Sequence, residues 1–217
     1  MLRVIHEGGQ LRHLGPDLVG HGAPLGAGGL GGVLGEGGGD EGRDDAPPAL
    51  PGMRQGIALE GMRLVVDYLP RAYADGTDLE ARGHMMSAAA MGATAFQKGL
   101  GAIHALSHPI GAVHHTHHGT TNAVCMPAVL QFNKSAIAGR FDKAAGYLGI
   151  SGGFDGFCAF VDEFNASMNI PKTLTELGVK DPNIEELTAA ALRDPSTGGN
   201  PIEMTAENTR ALFEEIM

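Results

Sequence analysis

Basic residues are scarce in this chain: 15 Lys and Arg stand against 25 Asp and Glu, for a net charge of -10. With no dense Lys/Arg run, that balance argues against a nucleic-acid phosphate partner. Cysteine is nearly absent. Cys125 and Cys158 sit in apolar sequence surroundings without a Cys-x-x-Cys spacing, which reads as buried, reduced thiols in a cytoplasmic protein. No apolar stretch approaches the ~20 residues of a membrane span. The N-terminal Met-Leu-Arg-Val-Ile-His-Glu has no signal-peptide apolar region. The expectation is a soluble, cytoplasmic protein. Runs of Val, Ile and Thr with period two are also missing, which leaves little material for a sheet.

Two unlike halves make up the 217 residues. Residues 1–52 hold 16 of the 34 glycines and no Phe, Tyr or Trp. The stretch 29–42, Gly-Leu-Gly-Gly-Val-Leu-Gly-Glu-Gly-Gly-Gly-Asp-Glu-Gly, has neither helical nor strand period. It buries too little apolar area to offset its backbone entropy and reads as disordered or poorly packed. Gly37-Gly38-Gly39 could be taken for a phosphate loop. It follows no convincing strand, however, and runs into Asp40, Glu41, Asp44 and Asp45, whose charges would repel phosphate.

From Met53 the texture is helical. Ile57, Met62, Leu64, Val65 and Leu69 form a helical stripe that Pro70 should stop. Asp78 is a plausible N-cap for a helix over Leu79–Lys98, rich in Ala and Met and apolar on several faces, a pattern typical of the centre of a bundle. Further helices are expected over Gly99–His108, ended or kinked at Pro109, and over Thr120–Asn133, bent by Pro127. Ser135–Leu148, Gly153–Met168, Asn183–Arg193 and Thr205–Met217 complete the set, with Thr205/Asn208 as a helix start. The fold class is all-α: a helical bundle over 53–217 behind a Gly-rich irregular tail over 1–52.

Six of the ten histidines fall within fifteen residues, at 104, 108, 114, 115, 117 and 118. Histidine is the commonest transition-metal ligand and carries protons readily near neutral pH. His104 and His108, four apart, share a helix face. His118, beyond a Pro109/Gly111 break, could fold back onto it. A divalent metal on His104 and His118 with His108 as proton relay is one reading; a merely polar face is the other. Two histidines are a minimal site, since zinc or iron usually takes three or four protein ligands. His114, His115 and His117 lack periodicity and are expected in an exposed turn.

Gly99-Leu-Gly-Ala-Ile-His-Ala-Leu-Ser-His-Pro-Ile-Gly-Ala112 and His118-Gly-Thr-Thr-Asn-Ala-Val-Cys-Met-Pro-Ala-Val-Leu-Gln-Phe-Asn133 resemble the signature of the iron-containing (group III) alcohol dehydrogenases. Gly56–Arg63, Leu69–Arg82 and Asp194-Pro-Ser-Thr-Gly-Gly-Asn-Pro201 agree with it. The resemblance implies a dehydroquinate synthase-like C-terminal helical domain of an enzyme that interconverts alcohols with aldehydes or ketones. His104 and His118 then match metal-binding histidines, for Fe2+ or Zn2+. His108 matches a histidine suspected of proton transfer, and Phe96 falls near an aromatic cofactor-cleft position.

The same resemblance implies residues that are not found. An upstream Asp-x-x-x-His pair should complete the metal site around residues 35–39, which read Gly-Glu-Gly-Gly-Gly. Asp17-Leu-Val-Gly-His21 has the internal spacing but lies too far upstream. The domain expected to bind NAD or NADP is missing. The switch at Met53 therefore reads as a shifted frame or wrong start, or as a degenerate fragment. Three functions follow: a C-terminal dehydrogenase domain impaired alone; an enzyme completed by a separately encoded N-terminal domain; or a non-catalytic, metal-binding interaction remnant. The first two imply a small alcohol or aldehyde substrate. The expected protein partner is that N-terminal domain or a second copy in a homodimer.

Overall fold

The computed structural model describes residues 51–95 and 99–217. The expectations for the Gly-rich segment, for Asp17 and His21, and for Phe96 lie outside the described residues. Within them the chain forms seven α-helices, one short 3-10 turn and no strand: α1 (Pro51–Ala74), α2 (Leu79–Ala95), α3 (Ala102–His114), α4 (His118–Leu148), α5 (Gly153–Ser167), α6 (Ile184–Arg193), the turn Thr197–Gly199, and α7 (Ala206–Ile216). The expected all-α class is the observed one. No described helix is long and apolar enough to cross a membrane.

Three helix starts follow from their capping residues. The Asp78 carboxylate accepts the Ala81 N–H at 3.0 Å ahead of α2, and Asn183 accepts the Glu186 N–H ahead of α6. Thr205 and Asn208 form a reciprocal capping box on α7. Each satisfies donors that the first helical turn leaves free.

Pro70 does not stop its helix as expected, and Pro109 does not end its own. α1 passes through Pro70 to Ala74, because Ala72 beyond it is buried with Ala81 and Met85 of α2. α3 passes through Pro109, keeping Ile110 fully buried in the main core. α4 is one helix of 31 residues, not two, and contains both Pro127 and Asn133. A proline at 127 removes the N–H that would bond the Ala123 carbonyl. The Asn165 amide of α5 donates to that carbonyl instead, at 3.4 Å. Packing and a substitute donor thus offset what each proline removes locally.

The centre of the bundle is also not where the sequence suggested. α2 is an edge helix: Leu79 is 81% and Met86 75% exposed, and a stripe of Ala81, Met85, Ala88, Gly92 and Ala95 packs on α1. The central element is α3, held between α4 and α6, with Ile103, Leu106 and Ile110 inside the main core. On the other side of α4, the Phe141 ring meets Phe157 and Phe154 edge-on, at 4.9 and 6.1 Å between centroids. Each such large apolar side chain contributes about 1.5–3 kcal/mol by leaving water. Cys125 is fully buried in this core, and burial pushes its thiol up to about 12. Cys158, partly buried, is also unpaired, and burial followed by Asp155 and Asp162 pushes it up to about 11.

Candidate metal and proton-transfer site

α3, the helix that carries His104 and His108, is tied down at its first turn by a distant asparagine. Asn200 accepts the free Ala102 N–H at 3.1 Å. Its amide also exchanges two 2.9 Å hydrogen bonds with the amide of Asn133, which is fully buried on α4. Glycine at 199 makes the approach feasible, since a Cβ there would run into the Leu100 carbonyl oxygen. α3 then runs on to His114, and the chain reverses at His115 in the left-handed region (φ 54°). The break is therefore at His115 rather than at Pro109/Gly111. The His117 ring accepts the Thr120 N–H to start α4, and His118 comes back over α3.

The result is a triangle of imidazoles. Ring centroids lie 5.5 Å apart for His104 and His108, 5.3 Å for His104 and His118, and 5.4 Å for His108 and His118. His104 is 5% exposed. Burial foremost, then the neighbouring His118 and His108, pushes it down to about 4. Burial, then His108 and His117, lowers His118 too. Both are therefore neutral near pH 7, the protonation state a metal ligand needs.

Asn122, one turn beyond His118 on α4, joins them. Its fully buried amide nitrogen lies 3.1 Å from His118 Nε2 and 3.4 Å from His104 Nε2. An amide nitrogen donates, so in this orientation both Nε2 atoms face it as acceptors, while the buried His104 Nδ1 and Asn122 Oδ1 have no hydrogen-bond partner among the described residues. Two lone pairs thus converge on one electropositive atom. A divalent cation uses the same donor arrangement, and the pair fits half of a four-ligand set. Among the described residues, no group of three or more His, Cys, Asp or Glu is placed to hold an ion.

His108 is turned differently. Its Nδ1 lies 2.8 Å from Asp194 Oδ2, and its side chain is 40% exposed against 13% for the aspartate. Burial alone would raise the Asp194 carboxyl, but hydrogen bonds from Ser196 and His108 outweigh it and keep it below the usual range. His115 and His117 are exposed, as expected of a turn, although His117 also serves as a cap. His114 departs from the expectation: it is half-buried, with an enclosed and unpartnered Nε2. A cavity of about 240 Å³ opens beside Ala123, Pro127, Asn165 and Ile216, and none of the three clustered histidines lines it.

Sequence reasoning assigned no role to Asn122, Asp194, Asn133 or Asn200. For Asn122 a signal existed, because it lies four residues after His118 and so on the same helix face. The Asp194 and Asn200 contacts join residues 86 and 98 positions apart, which no local pattern reveals.

Residues 51–217 match the family model described as Fe-containing alcohol dehydrogenase family, C-terminal. The chain belongs to this family. Its relatives include 4-hydroxybutyrate dehydrogenase of Cupriavidus necator, 37% identical over 179 residues that make up 78% of this chain and 47% of that protein. NAD-dependent methanol dehydrogenase of Bacillus methanolicus is 36% identical over 169 residues, 74% of this chain and 44% of the relative. Among solved structures, 1,3-propanediol oxidoreductase superposes with a TM-score of 0.79 at 26% identity, over 92% of this chain and 51% of that one. The chain thus spans about half the length of the dehydrogenases it matches. Its helical fold is that of the family's C-terminal part.

Proposed function

We propose that this chain supplies the metal-holding and proton-moving half of an NAD- or NADP-dependent alcohol dehydrogenase acting on a small alcohol or aldehyde. The observation that carries the reading is the convergence of His104 Nε2 and His118 Nε2 on the Asn122 amide nitrogen. In this reading His104 and His118 hold Fe2+ or Zn2+, with the remaining ligands and the nucleotide site outside the described residues. By the family resemblance, Phe96, outside the described residues, would fall near the cofactor cleft.

A divalent cation would supply Lewis-acid polarisation of the alcohol oxygen, and a nicotinamide would accept the hydride. The chain's own contribution is positional and acid–base. Burial keeps His104 unprotonated, and partial desolvation with the neighbouring His108 and His117 does the same for the more exposed His118 on the adjoining helix. His108, stacked on His118 and open to solvent on one side, takes the hydroxyl proton and releases it to water.

The test is metal titration of the full chain with Zn2+ or Co2+, alongside alcohol oxidation with NAD and NADP in the presence of Fe2+. His104→Ala and His118→Ala should each weaken metal binding by about tenfold or more, since even loss of an outer partner of a ligand costs 10–100-fold. Unchanged metal content in both variants would reject the site. The incomplete ligand set favours a second reading, a metal-binding interaction module without turnover. Metal binding that depends on both histidines, with no alcohol oxidation and no NAD binding, would select it.

A further inference from the structure

We propose that Asp194 is a positioning residue that holds His108 as its Nδ1–H tautomer, leaving Nε2 as the ring nitrogen available to a substrate proton. The orienting contact stands on geometry alone; its consequence for proton transfer rests on the role proposed above for His108.

Asp194 is fixed at four points. It is the C-cap of α6, with its N–H bonded to the Ala191 carbonyl and its own carbonyl accepting the Thr197 N–H. Oδ1 accepts the Ser196 N–H at 2.8 Å, and Oδ2 lies 2.8 Å from His108 Nδ1. An ionised carboxylate can only accept, so the shared proton sits on His108 Nδ1. With one oxygen engaged by Ser196, the carboxylate cannot turn without breaking a backbone contact. The segment that begins at Asp194 then reaches α3 a second time, where Asn200 holds the Ala102 N–H. The 194–200 segment therefore grips the histidine helix at two places, its first turn and the His108 side chain. A histidine whose second nitrogen is held by a carboxylate keeps its tautomer and ring orientation, and so presents one defined nitrogen.

Long-range 1H–15N NMR spectra of the full chain, metal-free and at a pH where His108 is neutral, read the tautomer directly. The wild type should show the proton on Nδ1. In Asp194→Asn, whose amide can donate as well as accept, the population should shift towards Nε2–H, and Asp194→Glu should restore Nδ1–H. Zinc affinity should be unaltered in Asp194→Glu, which keeps the carboxylate charge that reaches His104, and only modestly lower in Asp194→Asn, which removes it. A wild-type His108 protonated on Nε2 overturns the proposal without any variant, so a misfolded Asp194→Asn chain does not shield it. A folded Asp194→Asn chain with an unaltered tautomer, or with weakened zinc binding in place of the tautomer shift, also overturns it. If His104→Ala and His118→Ala leave metal binding intact while His108 responds as described, the orienting role survives and the dehydrogenase reading falls.

Discussion

His104 is a ligand candidate only while it is neutral, and its burial sets the pH at which that ends. Its folded value of about 4 lies below the ordinary 6.5. Above pH 6.5 neither the folded nor the unfolded chain is protonated there, and no difference arises. As pH falls from 6.5 towards 4, the unfolded chain takes up a proton that the folded chain refuses, so stability drops. The metal-free chain should lose up to about 3 kcal/mol across that window. His118 is shifted in the same direction and adds to the loss. Asp194, held below the usual carboxylate range, contributes in the same sense only at lower pH. Denaturant midpoints of the metal-free chain between neutral and mildly acid pH measure this. A His104→Gln variant with the same acid loss as the wild type would remove His104 as the cause.

Among the elements, the polar ties on α3 should matter more than the exposed caps. Asn200→Ala removes the acceptor for the Ala102 N–H and leaves the buried Asn133 amide without its partner. A lost cap costs about 1 kcal/mol and an unpaired buried amide about 1–3, so the variant should lose roughly 2–4 kcal/mol. Thr205→Ala on α7 removes an exposed capping box and should lose only about 1 kcal/mol. Gly199→Ala drives a methyl group into the Leu100 carbonyl and should cost about 1–3 kcal/mol. Thermal unfolding of the three variants ranks them. A Thr205→Ala effect as large as that of Asn200→Ala would mean that the asparagine pair is not the stronger tie.

For the molecule as a whole, two apolar cores of different size set the order of unfolding. The larger joins α3 through α7 with Met62 of α1; the smaller is built from α1 and α2, with Phe164 of α5 packed against it. Elements that share few contacts with the main core open at lower free energy. Amide exchange in α1 and α2 should therefore be faster than in α3 and the first half of α4. Equal protection of the α2 amides and those around Val129 and Leu130 would show a single cooperative unit instead. The histidine triangle sits on the α3 and α4 side, within the part expected to open last.

The all-α class, the caps at Asp78 and Thr205, the start of α6 near Asn183, and the shared face of His104 and His108 were legible in the sequence. Each depends on residues no more than a few positions apart, where helix geometry alone fixes the relation. The same spacing marked the histidine segment as the place to look for metal chemistry. Helix continuity through Pro70 and Pro109 and past Asn133, the edge position of α2, and the partners of the site were not legible. Asn165 repairs the carbonyl exposed by Pro127 from a different helix. Asp194 and Asn200 reach α3 from a segment that the sequence places far away. Tertiary packing alone decided those contacts: a proline's missing hydrogen bond or a buried amide's partner is supplied by whatever the fold brings near, not by chain neighbours.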